Sequence, residues 1–557
     1  MTHSNRRRFL SSSVTAVVGG AALGSISINS FAHTHGTTFT DPSPSAADEH
    51  SASHGGVLGQ PDAIQAGKAI LAQGGNAADA MTTAALVAAV AAVPMTGIGG
   101  YGGCAVIGGG PLASVRAIDF NTTAPQAMNP DTFHADSEGR VAGQINEYGW
   151  QSIGVPGILA GLECLAIRYG SMPLADLMQP AIRTARDGIR VTKALSTAVK
   201  ANAKRLRSDP ATEKLLFPGG KPLEENDVYR NPDLADMLQL IAEAGNTRPF
   251  YEGAIADKIV DRCRQGGSLL TPDDFARYRP LEPEPLSIEF GGKRLFTPPP
   301  TAGGLTVLQT LQTLKALDWN RDTSQRELML VEALRLAWTD RLRWLGDPNQ
   351  FEVPIAHLLS DEHARQSADT IREALREGKP VTAESDGRTA GGTIHLNTMD
   401  KSGLSVSLTL THGGSFGAQV TVDGLGLILA HGLSRFDPRS GRANSPGPGK
   451  RPLHNMCPTL ILEGNKVHSS VGAVGGRRIV NGVACYLAHR LAEGIDQSAA
   501  VKAARVHTEG DMKLVMDEHY GDQDTMRERG YTISHASISS LNVLERDPSG
   551  QVRAAAR

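Results

Sequence analysis

The chain has 557 residues, more than one ordinary hydrophobic core holds, which predicts two or more domains or one large fused unit. Hydrophobic residues make up 40% and charged residues 20%, as in globular proteins. The net charge of −3 and the aromatic content of 5% argue against a basic, base-stacking surface, so no nucleic-acid partner is expected.

The first 32 residues are typical of an export signal. "NRRRFL" precedes a Gly/Ala/Ser-rich apolar run, and Ser30-Phe31-Ala32 fits a small-x-small cleavage site. This pattern predicts a twin-arginine-type signal peptide over residues 1–32 and a periplasmic or secreted protein; a chance basic terminus is the alternative. Residues 33–54 are polar and rich in Pro and Ser, which predicts a disordered linker. No other segment has about 18 consecutive apolar residues, so no membrane span is expected.

The region from 55 to 392 is predicted to be rich in helix. Two helices flank Gly74-Gly75, and the second, from about Ala77 to Val93, is Ala-rich on nearly all sides and should be buried. Further helices are predicted over 155–245 and 325–380, with short strands "LSIEF" and "KRLFTP" between them. The stretch "PVTAESDGRTAG" (380–391) has no apolar anchor and predicts an exposed, mobile loop where a chain can be cut.

Two features of the sequence argue against a cofactor or a metal. "GIGGYGG" matches G-x-G-x-x-G, but a helix precedes it and a strand follows, the reverse of a dinucleotide site. A turn is therefore expected there, and no cofactor. The five Cys are scattered without zinc-binding spacing, so no metal is expected. They are interpreted as small buried hydrophobes, with one disulfide left open for an exported protein.

A two-stranded pattern follows in "TIHLNTMDKSGLSVSLTLT" (393–411). Apolar and hydroxyl side chains alternate with a period of 2, and "DKSG" separates the two runs as a turn. A three-residue loop with Gly403 in the left-handed conformation pairs residues whose numbers add to 804. Thr393 then faces Thr411, and His395 faces Thr409. An ordinary surface hairpin is the alternative interpretation.

The chemistry available to Thr393 depends on the peptide bond before it. Inside a chain its hydroxyl has no base, but a cut between Gly392 and Thr393 would create an α-amine with a pKa near ~8 beside it. Glycine at 391 and 392 permits the strained backbone that self-cleavage needs. Thr411 would then orient the nucleophile. We expect His395 to be a hydrogen-bonding structural residue, although a catalytic role stays open.

A second glycine pair could supply hydrogen-bond donors for an oxyanion. In "SSVGAVGGRRIVNG", Gly475 and Gly476 lie between a strand and an amphipathic helix that begins at about Arg477. Backbone N–H groups at such a helix N-terminus bind anions, although two glycines before a helix are also common without function.

These motifs together resemble the gamma-glutamyltransferase family. The resemblance rests on Thr393 and Thr411, on "PGKRPLHNMCPT" (447–459) and "GAVGGRRI" (472–479), and upstream on "MTGIGGYGG", "GVPGILAGLE", "LLTPDDFARYR", "TPPPTAGG" and "EALRLAWTDRLRWLGDP" in the same order. It implies an α+β fold, the Ntn-hydrolase four-layer αββα sandwich with two stacked antiparallel sheets. It also implies autocleavage into a large chain (55–392) and a small chain (393–557) that stay together, with no metal or cofactor. By this likeness Thr393 is nucleophile and base, Thr411 its hydroxyl partner, and Gly475 and Gly476 the oxyanion hole.

The positions that hold the glutamyl carboxylate in that family differ here. The family has an Arg in a "DFRE"-like segment, where this chain has Asn121 in "IDFNTTAP". It has a pair of Ser before Met, where this chain has His454 and Asn455. Loss of the Arg removes a bidentate carboxylate contact.

The positions that hold the α-ammonium group differ as well. The family's Asn, Gln and Asp correspond to Gly413, Gly432 and Arg435. An ammonium group beside Arg435 would be repelled, whereas an Asp would pair with it. From His431 to Arg451 the chain has five Lys or Arg and one Asp, which indicates either a solvated basic loop or a site for a carboxylate.

The sequence therefore predicts a self-processing N-terminal-threonine enzyme that cleaves a gamma-glutamyl-like amide and passes the acyl group to water or an amine. One alternative is an amidohydrolase for a carboxylate-bearing acyl group without an α-amine, such as a glutaryl, succinyl or oxamyl amide. Another is an unprocessed, non-catalytic binding homologue. The expected partners are a small-molecule amide substrate and the two chains of one precursor.

Overall fold

Two large antiparallel sheets organise this computed structural model, which describes residues 55–321, 324–386 and 392–557. The predicted signal peptide (1–32), the predicted linker (33–54) and residues 387–391 of the predicted cleavage loop lie outside the described residues. The strands are β1 (Gly55–Leu58), β2 (Gly102–Gly108), β3 (Arg116–Asp119), β4 (Ile189–Arg190), β5 (Val228–Tyr229), β6 (Leu286–Phe290), β7 (Lys293–Thr297), β8 (Ile394–Asp400), β9 (Ser405–Thr411), β10 (Val420–Val422), β11 (Leu427–Leu429), β12 (Thr459–Glu463), β13 (Lys466–Val474), β14 (Val506–His507), β15 (Lys513–Met516), β16 (Thr532–His535), β17 (Ser540–Arg546) and β18 (Val552–Ala556).

The first sheet has the strand order β1-β8-β9-β2-β3, and the second has the order β18-β17-β13-β12-β7-β6. All neighbours within these two sheets are antiparallel. In both sheets, strands from before residue 392 pair directly with strands from after it.

Helices cover the outer faces of both sheets. They are α1 (Pro61–Ala72), α2 (Ala77–Ala91), α3 (Ile158–Tyr169), α4 (Leu174–Asp187), α5 (Lys193–Ala201), α6 (Ala203–Leu206), α7 (Pro210–Leu216), α8 (Pro232–Ala244), α9 (Arg248–Tyr251), α10 (Ala254–Gln265), α11 (Pro272–Arg277), α12 (Gly304–Ala316), α13 (Arg326–Trp344), α14 (Ile355–Leu358), α15 (Asp361–Glu377), α16 (Arg478–Leu487), α17 (Gln497–Lys502) and α18 (Gln523–Glu528). Within the described ranges no helix is both long and apolar enough to cross a membrane.

The layers are defined by the helices that pack on each sheet and by the contact between the two sheets. Helix α2 is buried on every side, as its alanine content predicts, and it packs against β8 and β9. Helices α12 and α16 pack on the opposite face of the second sheet, and β13 contacts β8 and β9 across the middle. This arrangement is the predicted four-layer αββα sandwich.

The hairpin of β8 and β9 has its predicted register and lies in the interior. Ile394 pairs with Leu410 and His395 with Thr409, and Gly403 has a φ of +90° in the turn. Every residue of both strands is buried, so the surface-hairpin alternative is wrong. The apolar face packs into the core with α2, and the hydroxyl face points toward the second sheet.

Two predictions about loops need correction. Residues 380–386 are not a wholly exposed loop, because Val381 is buried in the core against the second sheet's helices and Asp386 pairs with a buried Arg. The basic loop is not simply solvated either. Lys450 and Arg451 are buried, and both donate hydrogen bonds to backbone carbonyl groups.

Candidate active site

The hydroxyl groups of Thr393 and Thr411 meet at the carbonyl group of Gly392. Thr393 Oγ1 donates to Gly392 O at 2.7 Å and lies 3.3 Å from Thr411 Oγ1. Thr411 Oγ1 donates to the same carbonyl oxygen, and it accepts the N–H of Gly413 at 2.7 Å. Both threonines are almost fully buried, at 4% and 1% exposure. The Thr411 hydroxyl therefore polarises the carbonyl group of Gly392, and the Thr393 hydroxyl lies next to the same group.

Gly392 is required by its backbone conformation. Its φ is +101°, a region that residues with a Cβ avoid, and a Cβ there would approach the carbonyl carbon of Gly414 to 2.9 Å. The predicted scissile bond thus lies where the backbone at Gly392 passes close to the backbone at Gly414.

His395 lies on the same polar face but serves as a structural contact. Its Nδ1 lies 2.8 Å from Thr409 Oγ1, and its Nε2 lies 3.2 Å from Asn397 Oδ1. Burial lowers the pKa of His395 to about 3, so the ring is neutral at physiological pH. A Cβ at Gly472 would come within 2.1 Å of the ring, so His395 fills the space that this glycine of β13 leaves. The contact brings β13 against β8.

The glycine pair follows directly from β13. Gly475 has a φ of +143° and Gly476 a φ of +61°, and α16 begins two residues after the second glycine. Residue 477, the N-cap residue of this helix, makes no side-chain capping hydrogen bond. Hydrogen bonds among the described residues do not join either glycine to Thr393, so their role as an oxyanion hole stays a prediction.

Arg477 ties this turn to the chain before the predicted cleavage site. Its two terminal nitrogens lie 2.6 and 3.1 Å from the carboxylate oxygens of Asp386, and its Nε lies 2.9 Å from Glu509. The guanidinium also lies over the ring of Trp338, 4.8 Å from its centroid. The Arg477 and Asp386 side chains are 11% and 8% exposed, so this ion pair is largely desolvated.

Asn121 occupies the predicted carboxylate position but is held by the protein. Its Nδ2 donates to Thr301 Oγ1 at 2.9 Å and to Pro452 O at 2.6 Å. Its Oδ1 is buried without a hydrogen-bond partner among the described residues. Asn121 can therefore offer an acceptor to a ligand, whereas an Arg would offer donors.

His454 and Asn455 adjoin a buried cation. Arg341 Nη2 donates to His454 O at 2.9 Å and to Asn455 Oδ1 at 3.0 Å. Burial, with Arg341 nearby, lowers the pKa of His454 to about 3, so this ring is neutral. Burial also lowers the pKa of Arg341 to about 10, and no carboxylate of the described chain lies within ion-pair distance of it. The sequence prediction missed Arg341, which lies in a quoted motif without any distinguishing local signal.

Gly413 adjoins Thr411, and Arg435 interacts electrostatically with two residues that pack beside Gly413, His431 and Tyr101. Arg435 ends a short 3-10 helix (Gly432–Arg435), and its Nε and Nη2 atoms both donate hydrogen bonds to Ser434 Oγ. A Cβ at Gly413 would lie 2.6 Å from the His431 ring, and Arg435 contributes to the lowered pKa of His431, about 3, after burial. Of the predicted binding residues, Gly413 is joined directly to Thr411 by a hydrogen bond.

The predicted site contains groups of the kinds that acyl transfer uses. It supplies a hydroxyl nucleophile, a second hydroxyl and backbone N–H groups, the parts that amide cleavage requires. No cluster of three metal-ligating side chains occurs in the part of the chain that the structure describes.

Comparisons with known proteins converge on one family. The family model described as Gamma-glutamyltranspeptidase matches residues 63–557. The glutathione hydrolase proenzyme of Escherichia coli (strain K12) is 31% identical over 464 residues, covering 80% of this chain and 79% of that protein. The acylase ACY 1 proenzyme of Pseudomonas sp. (strain SE83) is 32% identical over 521 residues, covering 90% and 91%. The crystal structure of cephalosporin acylase from Bacillus halodurans superposes with a TM-score of 0.82 at 28% identity, covering 92% of this chain and 96% of that one.

Proposed function

Because the chain belongs to the gamma-glutamyltranspeptidase family, we propose that it is a proenzyme that cuts itself between Gly392 and Thr393 and then cleaves amides with Thr393. The two curated relatives are named as proenzymes, which supports two chains from one precursor. The large chain would span 55–392 and the small chain 393–557. Residues 1–32 would direct export and be removed.

Self-cleavage starts from the contacts at Gly392. Thr393 Oγ1 attacks the carbonyl carbon of Gly392, and the negative charge develops on the oxygen that Thr411 already contacts. The C–N bond then breaks as the leaving nitrogen takes up the proton that the hydroxyl gives up, which leaves an ester between Gly392 and the Thr393 side-chain oxygen and frees the α-amine. Water hydrolyses the ester and releases Gly392 as a carboxylate. The buried position of both hydroxyls strengthens their hydrogen bonds to the developing charge.

The mature enzyme reuses the same atoms. The free amine of Thr393, with a pKa near ~8, accepts the hydroxyl proton as the substrate carbonyl is attacked. Thr411 orients the nucleophile, and the Gly475 and Gly476 N–H groups stabilise the oxyanion. The amine product leaves, and the acyl group passes to water or to an acceptor amine.

The acyl group in this proposal carries a carboxylate and no α-amine. The observation that carries it is Arg435, because no carboxylate of the described chain lies within ion-pair distance of its guanidinium. A guanidinium group that has no carboxylate at ion-pair distance is stabilised by an anionic ligand. An ammonium group about 4 Å from it would be repelled by roughly 4 kcal/mol at an effective dielectric constant near 20. Glutaryl and succinyl amides meet this requirement.

A gamma-glutamyl group is the second candidate. The Glu147 carboxylate interacts with Arg435 at longer range, and the Glu147 carbonyl oxygen lies 2.7 Å from His431 Nδ1. This carboxylate could pair with an ammonium group at the edge of the site. The glutathione hydrolase relative favours this candidate, whereas the acylase relatives favour the first.

A substrate series tests the choice. Purified, processed enzyme is assayed with glutaryl-, succinyl-, oxamyl- and gamma-glutamyl-p-nitroanilide, beside Arg435→Asp and the matched control Arg442→Gln, an exposed cation of the same loop. We expect preference for an anilide without the amine, loss of that preference in Arg435→Asp, and no change in the control. Preference for the gamma-glutamyl anilide in the unaltered enzyme would select the second candidate. A chain that stays uncut and inactive would select the non-catalytic homologue.

A further inference from the structure

Tyr101 lies beside the nucleophile, although neither the motifs nor the family positions single it out. It directly precedes β2, whose first residue, Gly102, pairs with Thr411 at the end of β9. The side chain is only 4% exposed, and it packs in a small cluster with Cys104, Ala302, Ala430 and Met456.

The Tyr101 side chain lies next to two glycines of the site, with its ring beside Gly413 and its Cβ beside Gly432. A Cβ at Gly413 would lie 3.0 Å from Tyr101 Cε1, and a Cβ at Gly432 would lie 2.9 Å from Tyr101 Cβ. Neither position can carry a side chain without displacing a neighbour. His431 comes closer still to position 413, and Thr122 to position 432, so Tyr101 is one of several neighbours that leave no room for a polar side chain there.

The hydroxyl group of Tyr101 is available to a ligand. It has no hydrogen-bond partner among the described residues, and it interacts electrostatically with Arg435. Burial raises the pKa of Tyr101 to about 12, so the phenol keeps its proton at neutral pH and can donate it. A phenol donor beside a guanidinium is a pair suited to a carboxylate.

We propose that Tyr101 determines specificity by closing the space beside Gly413 with its ring and by binding the acyl carboxylate, together with Arg435, through its hydroxyl. This rests on the proposed function. The acyl group it selects has an unsubstituted carbon next to its carboxylate, because a bulkier carbon would meet the ring.

Two variants separate the contributions of the ring and the hydroxyl. Tyr101→Phe keeps the ring, and we expect KM for glutaryl-p-nitroanilide to rise about tenfold with kcat within about twofold, as for loss of one hydrogen bond to a charged group. Tyr101→Ala opens the space, and we expect the ratio of gamma-glutamyl to glutaryl turnover to rise at least tenfold. Self-cleavage on a denaturing gel shows that each variant has folded, and Tyr169→Phe, at a distant surface hydroxyl, is the control.

The outcomes distinguish this inference from the proposed function. If the unaltered enzyme prefers the glutaryl anilide but Tyr101→Phe leaves KM unchanged and Tyr101→Ala leaves the ratio unchanged, the role of Tyr101 is refuted and the acyl assignment survives. If the unaltered enzyme prefers the gamma-glutamyl anilide, both are refuted. The expected KM shift together with the altered ratio supports both.

Discussion

Removal of the Thr411 hydroxyl should slow self-cleavage more than a change in the shape of the Thr411 side chain does. Thr411→Val has nearly the same volume but no donor for Gly392 O, where the charge of the tetrahedral intermediate develops. Losing one such donor costs about 3–4 kcal/mol of transition-state stabilisation, or a rate about 10²- to 10³-fold lower. The N–H of Gly413 also loses its acceptor, which destabilises the fold by roughly 1–3 kcal/mol.

The assay follows conversion of one band into two on a denaturing gel after cell-free synthesis, with the new N-terminus sequenced. Thr411→Ser is the matched control, because it keeps the hydroxyl and loses only a methyl group, and we expect cleavage within a few-fold of the native rate. A Thr411→Val chain that cuts itself as fast as the serine variant would refute the idea that this hydroxyl stabilises the oxyanion. A far-UV spectrum like that of the native protein shows that slow cleavage does not reflect misfolding.

Three further outcomes are expected. Thr393→Ala should stay a single uncut chain, seen on the same gel, because no hydroxyl remains to attack Gly392. Asp386→Asn should lower the free energy of unfolding by about 3 kcal/mol in urea, since it leaves buried Arg477 with one carboxylate fewer, and should slow self-cleavage. The urea midpoint should fall as pH drops from 6.5 toward 3. His395 and three other buried histidines have pKa values of about 3, so the unfolded chain binds protons that the folded chain cannot.

Each of these expectations has its own control. Thr393→Ser should still be cut, and native-like cutting of Thr393→Ala would remove the proposed nucleophile. Glu384→Gln breaks an exposed pair with Arg343 and should cost less than about 1 kcal/mol. The contribution of the four neutral histidines to the free energy of unfolding is fully present above pH 6.5. It is lost below that pH, by up to about 1.4 kcal/mol per pH unit for each ring. A midpoint equal at pH 5 and pH 7.5 would contradict the neutral, buried state.

The parts of the site that were predictable from sequence are those with local periodicity. Alternation of apolar and hydroxyl residues, with one permissive glycine at 403, sets the register of β8 and β9 and so places Thr393 against Thr411. The four-layer fold came from the order of motifs and is confirmed by the solved acylase structure.

The parts that were not predictable depend on contacts between distant segments. Asp386 and Arg477 are 91 residues apart, and nothing near either residue indicates the other. Tyr101 lies in a glycine-rich turn, and its proximity to Gly413 and Gly432, more than 300 residues later, is visible only in the folded chain. The charges of Lys450 and Arg451 suggested solvent, but backbone carbonyls satisfy them in the interior.

The mixed origin of the two sheets determines what a cut at Gly392 can release. Strands β8 and β9 of the later segment lie between β1 and β2 of the earlier one, while β6 and β7 extend a sheet otherwise built from the later segment. Cleavage of this single peptide bond therefore leaves two polypeptides whose strands remain paired by main-chain hydrogen bonds in both sheets. Neither product retains a complete sheet by itself, so separating them requires denaturation, and the heterodimer holds together at any dilution that leaves it folded.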